Sequence, residues 1–298
     1  MFNRDHQAIL PVDVPEVIMH SFRLLLLMMS CVMLTLFEGC AGSRQSSGQN
    51  AIRVMTYNIH HGVGSDSVFD IERIASVIRH SDADIVALQD VDRWIDRTGK
   101  MDMMTKLADL TGMTYTFGKS MNVDGGEHGN GLLTRFPILE EKLLTYRLQL
   151  SDQNYSLMRL VLDVRGTEIV FMNTELNGDG NDSLQSANVA EIVAASTEYQ
   201  NVPIILSGSV NSMPDSKSLA AIRTAFQDSW TMCGSGDGFT FPSNTPQKRF
   251  DYIFISNRHV SADSKSIEVS LKPAEASVPV SNASDHLPLL IALKVVSE

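Results

Sequence analysis

The chain has 298 residues, of which 43% are hydrophobic and 20% charged, enough for one large or two modest globular domains. Its formal net charge of −11 argues against a surface built to hold duplex nucleic acid, because that affinity comes mostly from Lys and Arg neutralising phosphates. Its 3 cysteines, Cys31, Cys40 and Cys233, supply neither a disulfide framework nor a cysteine-based metal site.

The chain opens with a segment that stands apart from the fold. Leu24 to Phe37 is an apolar run preceded by Arg23, short for a membrane span and suited to a signal h-region. Met19 starts this segment naturally, which makes residues 1–18 a candidate for an upstream mis-called start. The run ends in Gly39-Cys40, which resembles the bacterial lipoprotein cleavage box, although Glu38 is unusual there. The expectation is a signal/lipoprotein segment over 1–40, a flexible polar tether over 41–50, and one domain over 51–298. The chain is then expected to be lipid-anchored at Cys40 in a bacterial cell envelope, on the periplasmic or the outer-membrane/extracellular side; ordinary secretion is the alternative.

Along the domain, Ile52–Tyr57 alternates apolar and polar residues and reads as a strand running into an Asn58–Gly62 loop. Asp70–His80 carries Ile71, Ile74, Val77 and Ile78 at helical spacing behind a candidate Asp70 cap. Asp84–Gln89 reads as a buried strand ending in Asp90, and Asp102–Leu110 as a short helix stopped by Gly112. Strands are expected at Thr114–Phe117, Gly131–Thr134, Leu139–Leu148, Leu157–Val164 and Glu168–Asn173, with Arg165-Gly166 as a tight turn. Asp182–Tyr199 reads as a helix with Leu184, Val189, Ile192 and Val193 on one face. Ile204–Leu206 is a buried strand ending in Gly208-Ser209-Val210-Asn211, followed by a helix over Ser216–Arg223. Phe250–Ser256, Ser266–Leu271 and Leu287–Val296 complete the strands. Many strands with few helices between them suggest two sheets packed face to face with helices outside.

Polar clusters recur at the strand ends. They are Asn58 with His60 and His61, Gln89 to Asp92, Asn173 to Glu175, Ser209 with Asn211, and Asp251 with Ser284 to His286. Taken singly, His60 and His61 read as surface or hydrogen-bonded histidines rather than ligands. Strand ends of an α/β protein are where a site is usually presented.

The order of these pieces resembles the endonuclease/exonuclease/phosphatase family. The matching stretches are Thr56-Tyr57-Asn58-Ile59-His60-His61-Gly62, Ala87-Leu88-Gln89-Asp90-Val91-Asp92, Gly129-Asn130-Gly131 through Ile138, Asn173-Thr174-Glu175-Leu176-Asn177, Gly208-Ser209-Val210-Asn211, Arg249-Phe250-Asp251-Tyr252-Ile253 and Ser284-Asp285-His286-Leu287-Pro288. The resemblance implies a DNase I-like α/β fold: a four-layer α-β-β-α sandwich of two mixed, mostly antiparallel sheets. It also implies hydrolysis of a phosphoester with Mg²⁺ or Mn²⁺. Asn58, Asp90 and Asp285 would hold metal. Asn211 would hold phosphate or the attacking water, and His286, oriented by Asp251, would contact the phosphate. The expected partner is a small phosphorylated molecule or a lipid headgroup, and the expected state a monomer.

Three positions depart from the family pattern. Ser209 stands for an Asp that activates or orients water, Glu175 for a second His, and Asp90 for a Glu one methylene longer. Tyr155 lies near the place of an expected basic residue. Glu175 can compensate by ligating a displaced metal, or as an acid if burial raises its pKa; Asp90 and Asp92 can share an ion. Two readings follow: a weak or altered hydrolase, or a non-catalytic descendant that binds a phosphorylated or glycan ligand.

Overall fold

The computed structural model describes residues 51–149, 154–178, 182–199, 202–256 and 269–297. The expected signal segment, cleavage site and tether therefore lie outside the described residues. Strands β1 (Ala51–Asn58), β2 (Ile85–Arg93), β3 (Thr114–Val123), β4 (Gly126–Thr134), β11 (Val269–Ser277) and β12 (Leu289–Ser297) form one sheet in the order β11-β12-β1-β2-β4-β3. Strands β5 (Ile138–Thr145), β6 (Ser156–Val164), β7 (Thr167–Glu175), β8 (Ile204–Ser209), β9 (Phe226–Asp228) and β10 (Asp251–Ser256) form the other, in the order β5-β6-β7-β8-β10-β9. The β1–β2 and β7–β8 pairs are parallel and the remaining pairs antiparallel.

Alternation along the strands builds three apolar layers. Val54, Ile85, Ala87, Leu132 and Ile291 of the first sheet face Leu160, Phe171, Ile205 and Ile253 of the second. Their neighbours Met55, Val86, Leu88 and Leu133 turn outward onto helices α1 (Ile71–Ser81) and α2 (Met103–Thr111). On the far side, Val170, Met172, Leu206 and Phe254 pack against α3 (Asp182–Ser196) and α4 (Lys217–Ile222). This is the four-layer α-β-β-α sandwich, with the DNase I-like arrangement expected from the sequence. Among the described residues no helix is long and apolar enough to cross a membrane.

Local chemistry sets the element ends. Asp70 accepts hydrogen bonds from the Glu72 and Arg73 amides and starts α1; Asp102 does the same for α2 through Thr105. Gly112 ends α2 in the left-handed conformation. Arg165 and Gly166 both take positive φ, as a two-residue hairpin turn requires.

Several boundaries differ from the sequence reading. The β3–β4 hairpin is longer at both strands, because its outer ends alternate polar residues that hide the period. β5 stops at Thr145 rather than Leu148. β11 continues to Ser277, and residues 266–268 of its expected start lie outside the described residues. β9 and the following helix α5 (Ser229–Cys233) were not expected; α5 carries Trp230 into the core between the sheets.

Gly208 is a position where only glycine fits. A Cβ there would stand 1.9 Å from the Thr174 carbonyl oxygen of the adjoining strand. Gly208→Ala is expected to lower unfolding free energy by about 1–3 kcal/mol in urea titrations; unchanged stability would mean that β7 and β8 can separate freely at this point.

Candidate active site

The ends of β1, β2, β7 and β8, the start of β10 and the loop before β12 meet at one edge of the sandwich. Strand pairing aligns Glu175, Ser209 and Asp251 as neighbours across β7, β8 and β10. His286 comes from the loop before β12, and its Nδ1 lies 2.8 Å from the buried Asp251 Oδ2. Its ring packs on Phe241, 4.8 Å between centroids. Ser284 donates to the Asn58 carbonyl at 2.8 Å, fastening this loop to the end of β1.

Burial would depress the His286 pKa, but the facing Asp251 carboxylate overrides it and pushes the imidazole up to about 9. Ser209 is fully buried, and its hydroxyl reaches the Asn211 side chain at 3.4 Å. Asn211 takes positive φ and donates to the Leu176 carbonyl at 2.9 Å. Asn58 is buried and accepts from the His60 amide at 3.0 Å. Asp285 stands 3.7 Å from His60 Nδ1.

A cavity of about 280 Å³ opens beside these residues, lined among others by His60, His61, Asp90, His128 and Glu175. Of the expected site residues, Asp90 and Glu175 reach its wall. Ser209, Asp251 and His286 are buried and do not line it. Asp90 is delivered by an irregularity in the β2–β4 pairing between Leu88 and Val91, where its φ is +61°. Such a bulge re-aims a side chain.

His60 and His61, read from sequence as surface or hydrogen-bonded residues, instead stand at the cavity wall. Their Nδ1 atoms are buried without a hydrogen-bond partner among the described residues. With Asp90 they form a group whose ligand atoms all lie within 4.8 Å of one another.

His128 was missed. Its Nδ1 meets the fully buried Asp92 at 2.8 Å, and its Nε2 lies 3.2 Å from Asp90. Arg97 holds Asp92 from the other side with bonds of 2.7 and 2.8 Å. The signal was present in the strand period: His128 and Asn130 continue the inward face begun by Leu132. Two Asp–His pairs therefore stand at this edge: Asp92–His128 within the first sheet, and Asp251–His286 joining β10 of the second sheet to the loop before β12 of the first.

Glu175 interacts with both imidazoles and with Asp90. Burial and the Asp90 charge push its carboxyl up to about 8. Burial alone would raise Asp90 as well, but His61 and His128 hold it down. One carboxylate is ionised and its neighbour keeps its proton, as two close acids in a shielded site must.

A model of the endonuclease/exonuclease/phosphatase family matches residues 55–286. The chain belongs to that family. Escherichia coli (strain K12) carries a relative, the uncharacterized protein YbhP, 25% identical over 229 residues that cover 72% of this chain and 88% of that protein. A mannosyl-6-phosphatase from Bacteroides thetaiotaomicron shares the fold with a TM-score of 0.65 at 20% identity, over 81% of this chain and 99% of its own. The human Nocturnin catalytic domain, solved with a bound sulfate anion, gives 0.63 at 19% identity, over 83% and 95%.

The Glu175 shift has a measurable sign. In the folded chain this acid keeps its proton to about pH 8, against an ordinary value of 4.5. Folding therefore takes up a proton across that window, and stability falls as pH rises through it. In chelator-treated protein, Glu175→Gln is expected to raise the melting temperature at pH 8 and to leave it nearly unchanged at pH 4.5. A lower melting temperature at pH 8 would mean that the ionised carboxylate has a favourable partner.

Proposed function

We propose that this member of the family is a phosphoester hydrolase acting on a small phosphorylated molecule or a lipid headgroup. The observation that carries the reading is the pair of carboxylate-anchored imidazoles at one edge of the sandwich, with His128 and Glu175 on the cavity wall and the Asp251–His286 pair buried beside them. In the raised-pKa state His286 is cationic at neutral pH and can neutralise a phosphate oxygen. Glu175 keeps a proton that it can release to a leaving oxygen, which supplies the acid lost with the family's second His. Arg97, paired with Asp92, adds positive charge to the cavity wall.

The family likeness assigns Mg²⁺ or Mn²⁺ to Asn58, Asp90 and Asp285. A divalent cation supplies a Lewis acid for the phosphoryl oxygen and an acidified water. The donors around Asp90 do not fit Mg²⁺, which demands near-octahedral oxygen ligands. Here Asp90 meets His61 and His128, and Asp285 meets His60. An ion that accepts nitrogen ligands fits better.

The alternative is a binding module without turnover. The favouring observation is Ser209, neutral and fully buried where the family places a water-directing Asp. We read the protein as a monomer, anchored to the bacterial envelope through Cys40, with secretion as the alternative.

The test is a panel of phosphomonoesters and phosphodiesters, a sugar phosphate included because of the mannosyl-6-phosphatase likeness, assayed with each divalent metal. His286→Ala is expected to reduce turnover by about 10²–10⁴-fold. Equal activity in that variant would assign the turnover to a contaminant. Saturable binding without turnover, converted to turnover by Ser209→Asp with Glu175→His, would establish the binding module. Cys40→Ser is expected to move the protein from the membrane to the soluble fraction of cells; unchanged partitioning would remove the anchor.

A further inference from the structure

We propose that His60, His61 and Asp90 form a binding site for a first-row transition-metal ion, of the Zn²⁺ type, in preference to Mg²⁺. The site does not depend on turnover and stands whether or not the cavity hydrolyses phosphate.

The geometry suits one ion. His61 Nδ1 lies 3.7 Å from Asp90 Oδ1. That gap is too long for a hydrogen bond. It is the separation of two donors on one ion at about 2.1 Å each with a wide tetrahedral angle. The three donor atoms lie within 4.8 Å of one another; donors at tetrahedral angles on one ion stand about 3.4 Å apart, so the widest pair closes by up to about 1.4 Å. The His60 and His61 rings meet edge to face, with centroids 4.4 Å apart, so they converge rather than stack.

Two further observations point to a ligand. The Nδ1 atoms of both histidines are buried and lack a hydrogen-bond partner among the described residues, each standing 3.7 Å from a carboxylate oxygen. A buried polar atom without a partner is costly, and ligation removes that cost. The backbone is also held out of its ordinary range at all three donors. His60, His61 and Asp90 take φ of +43°, +41° and +61°. Left-handed backbone is unfavourable for such residues and persists where the surroundings impose it. Asn58 imposes it on the histidine turn by accepting the His60 amide, and the Ile59 amide ties that turn to the bulge through the Gln89 carbonyl at 3.1 Å.

The donor chemistry selects the ion. Two imidazoles and one carboxylate with open positions suit Zn²⁺ and Fe²⁺. His128 is a positioning residue here: anchored by Asp92 at Nδ1, it fixes Asp90 from its other side through Nε2.

The experiment uses the full chain stripped with chelator, then loaded with Zn²⁺, Co²⁺ or Mg²⁺. Expected is about one equivalent of Zn²⁺ by elemental analysis, binding about 100-fold or more tighter than Mg²⁺ by calorimetry. Co²⁺ should give visible ligand-field bands in the unmutated protein, a readout that needs no variant. His61→Ala and Asp90→Asn should remove the bands and the high-affinity equivalent. His80→Ala, at an exposed histidine on α1, should keep both. Asp92→Asn should weaken Zn²⁺ by about 10–100-fold. Mg²⁺ binding as tight as Zn²⁺, absence of Co²⁺ bands, or Zn²⁺ binding that survives His61→Ala in a folded variant would each overturn the site. Hydrolysis with Mg²⁺ by a protein that takes up no tight equivalent of Zn²⁺ would overturn the site and leave the hydrolase reading in place. Zn²⁺ uptake without turnover would do the reverse.

Discussion

The cleft depends on the side chain of Asn173. At the bulge in β2 the pairing between β2 and β4 breaks off after Leu88 opposite Gly131. The carbonyl oxygens of these two residues are where an interrupted ladder would leave acceptors open. Asn173, fully buried on the opposite sheet, donates to both at 2.9 Å. Its Oδ1 in turn accepts from Gln89 at 2.7 Å, within the bulge itself. One amide therefore satisfies the bulge and locks the two sheets together at the edge where the polar residues converge. Leaving such acceptors unmade costs about 1–3 kcal/mol each, so the bulge and the sheet spacing persist together. The position of Asp90 follows from that lock.

The same edge sets how charge is distributed over three neighbouring strands. Glu175, Ser209 and Asp251 are neighbours across three strands, about 4.8 Å apart from strand to strand. With Glu at 175, an Asp at 209 would place three carboxyls side by side in a shielded site, next to Asp90. That arrangement drives protons onto the acids or breaks the packing. Ser209 removes the middle charge and bonds to Asn211 instead. The residual strain appears as the raised Glu175 carboxyl. A neutral residue at 209 is thus the electrostatic counterpart of an acid at 175.

Much of this was legible in the sequence because it rests on short-range patterning. Apolar runs of period two ending in Asn, Asp, Glu or His marked the strands, and their order marked the family. Asp251 and His286 are legible as a pair from the resemblance, and Asp90 and Glu175 as separate candidate site residues. What escaped depends on the backbone rather than on composition. The bulge at Asp90 and the left-handed turn at His60 and His61 leave no residue-type signature, since neither uses Gly at the donor positions. His128 sits on an inward face of β4 whose expected strand began only at Gly131, so its register was not drawn that far. β9 and α5 are three and five residues long, too short for a period to declare itself.

The acid at position 90 and the histidines around it form one chemical unit. An Asp reaches roughly one methylene, about 1.5 Å, less far than a Glu from the same backbone. Its short reach leaves space beside β2 that imidazoles border: His61 from the turn after β1 and His128 from β4. Nitrogen donors therefore stand beside the carboxylate oxygen at this edge. The ring of His61 and the relay from Arg97 through Asp92 to His128 hold the shorter acid ionised despite its burial. On the other sheet the acid is Glu175, at the end of β7, and its proton offsets the charge that Asp90 keeps. Acids and imidazoles thus balance across the gap between the sheets.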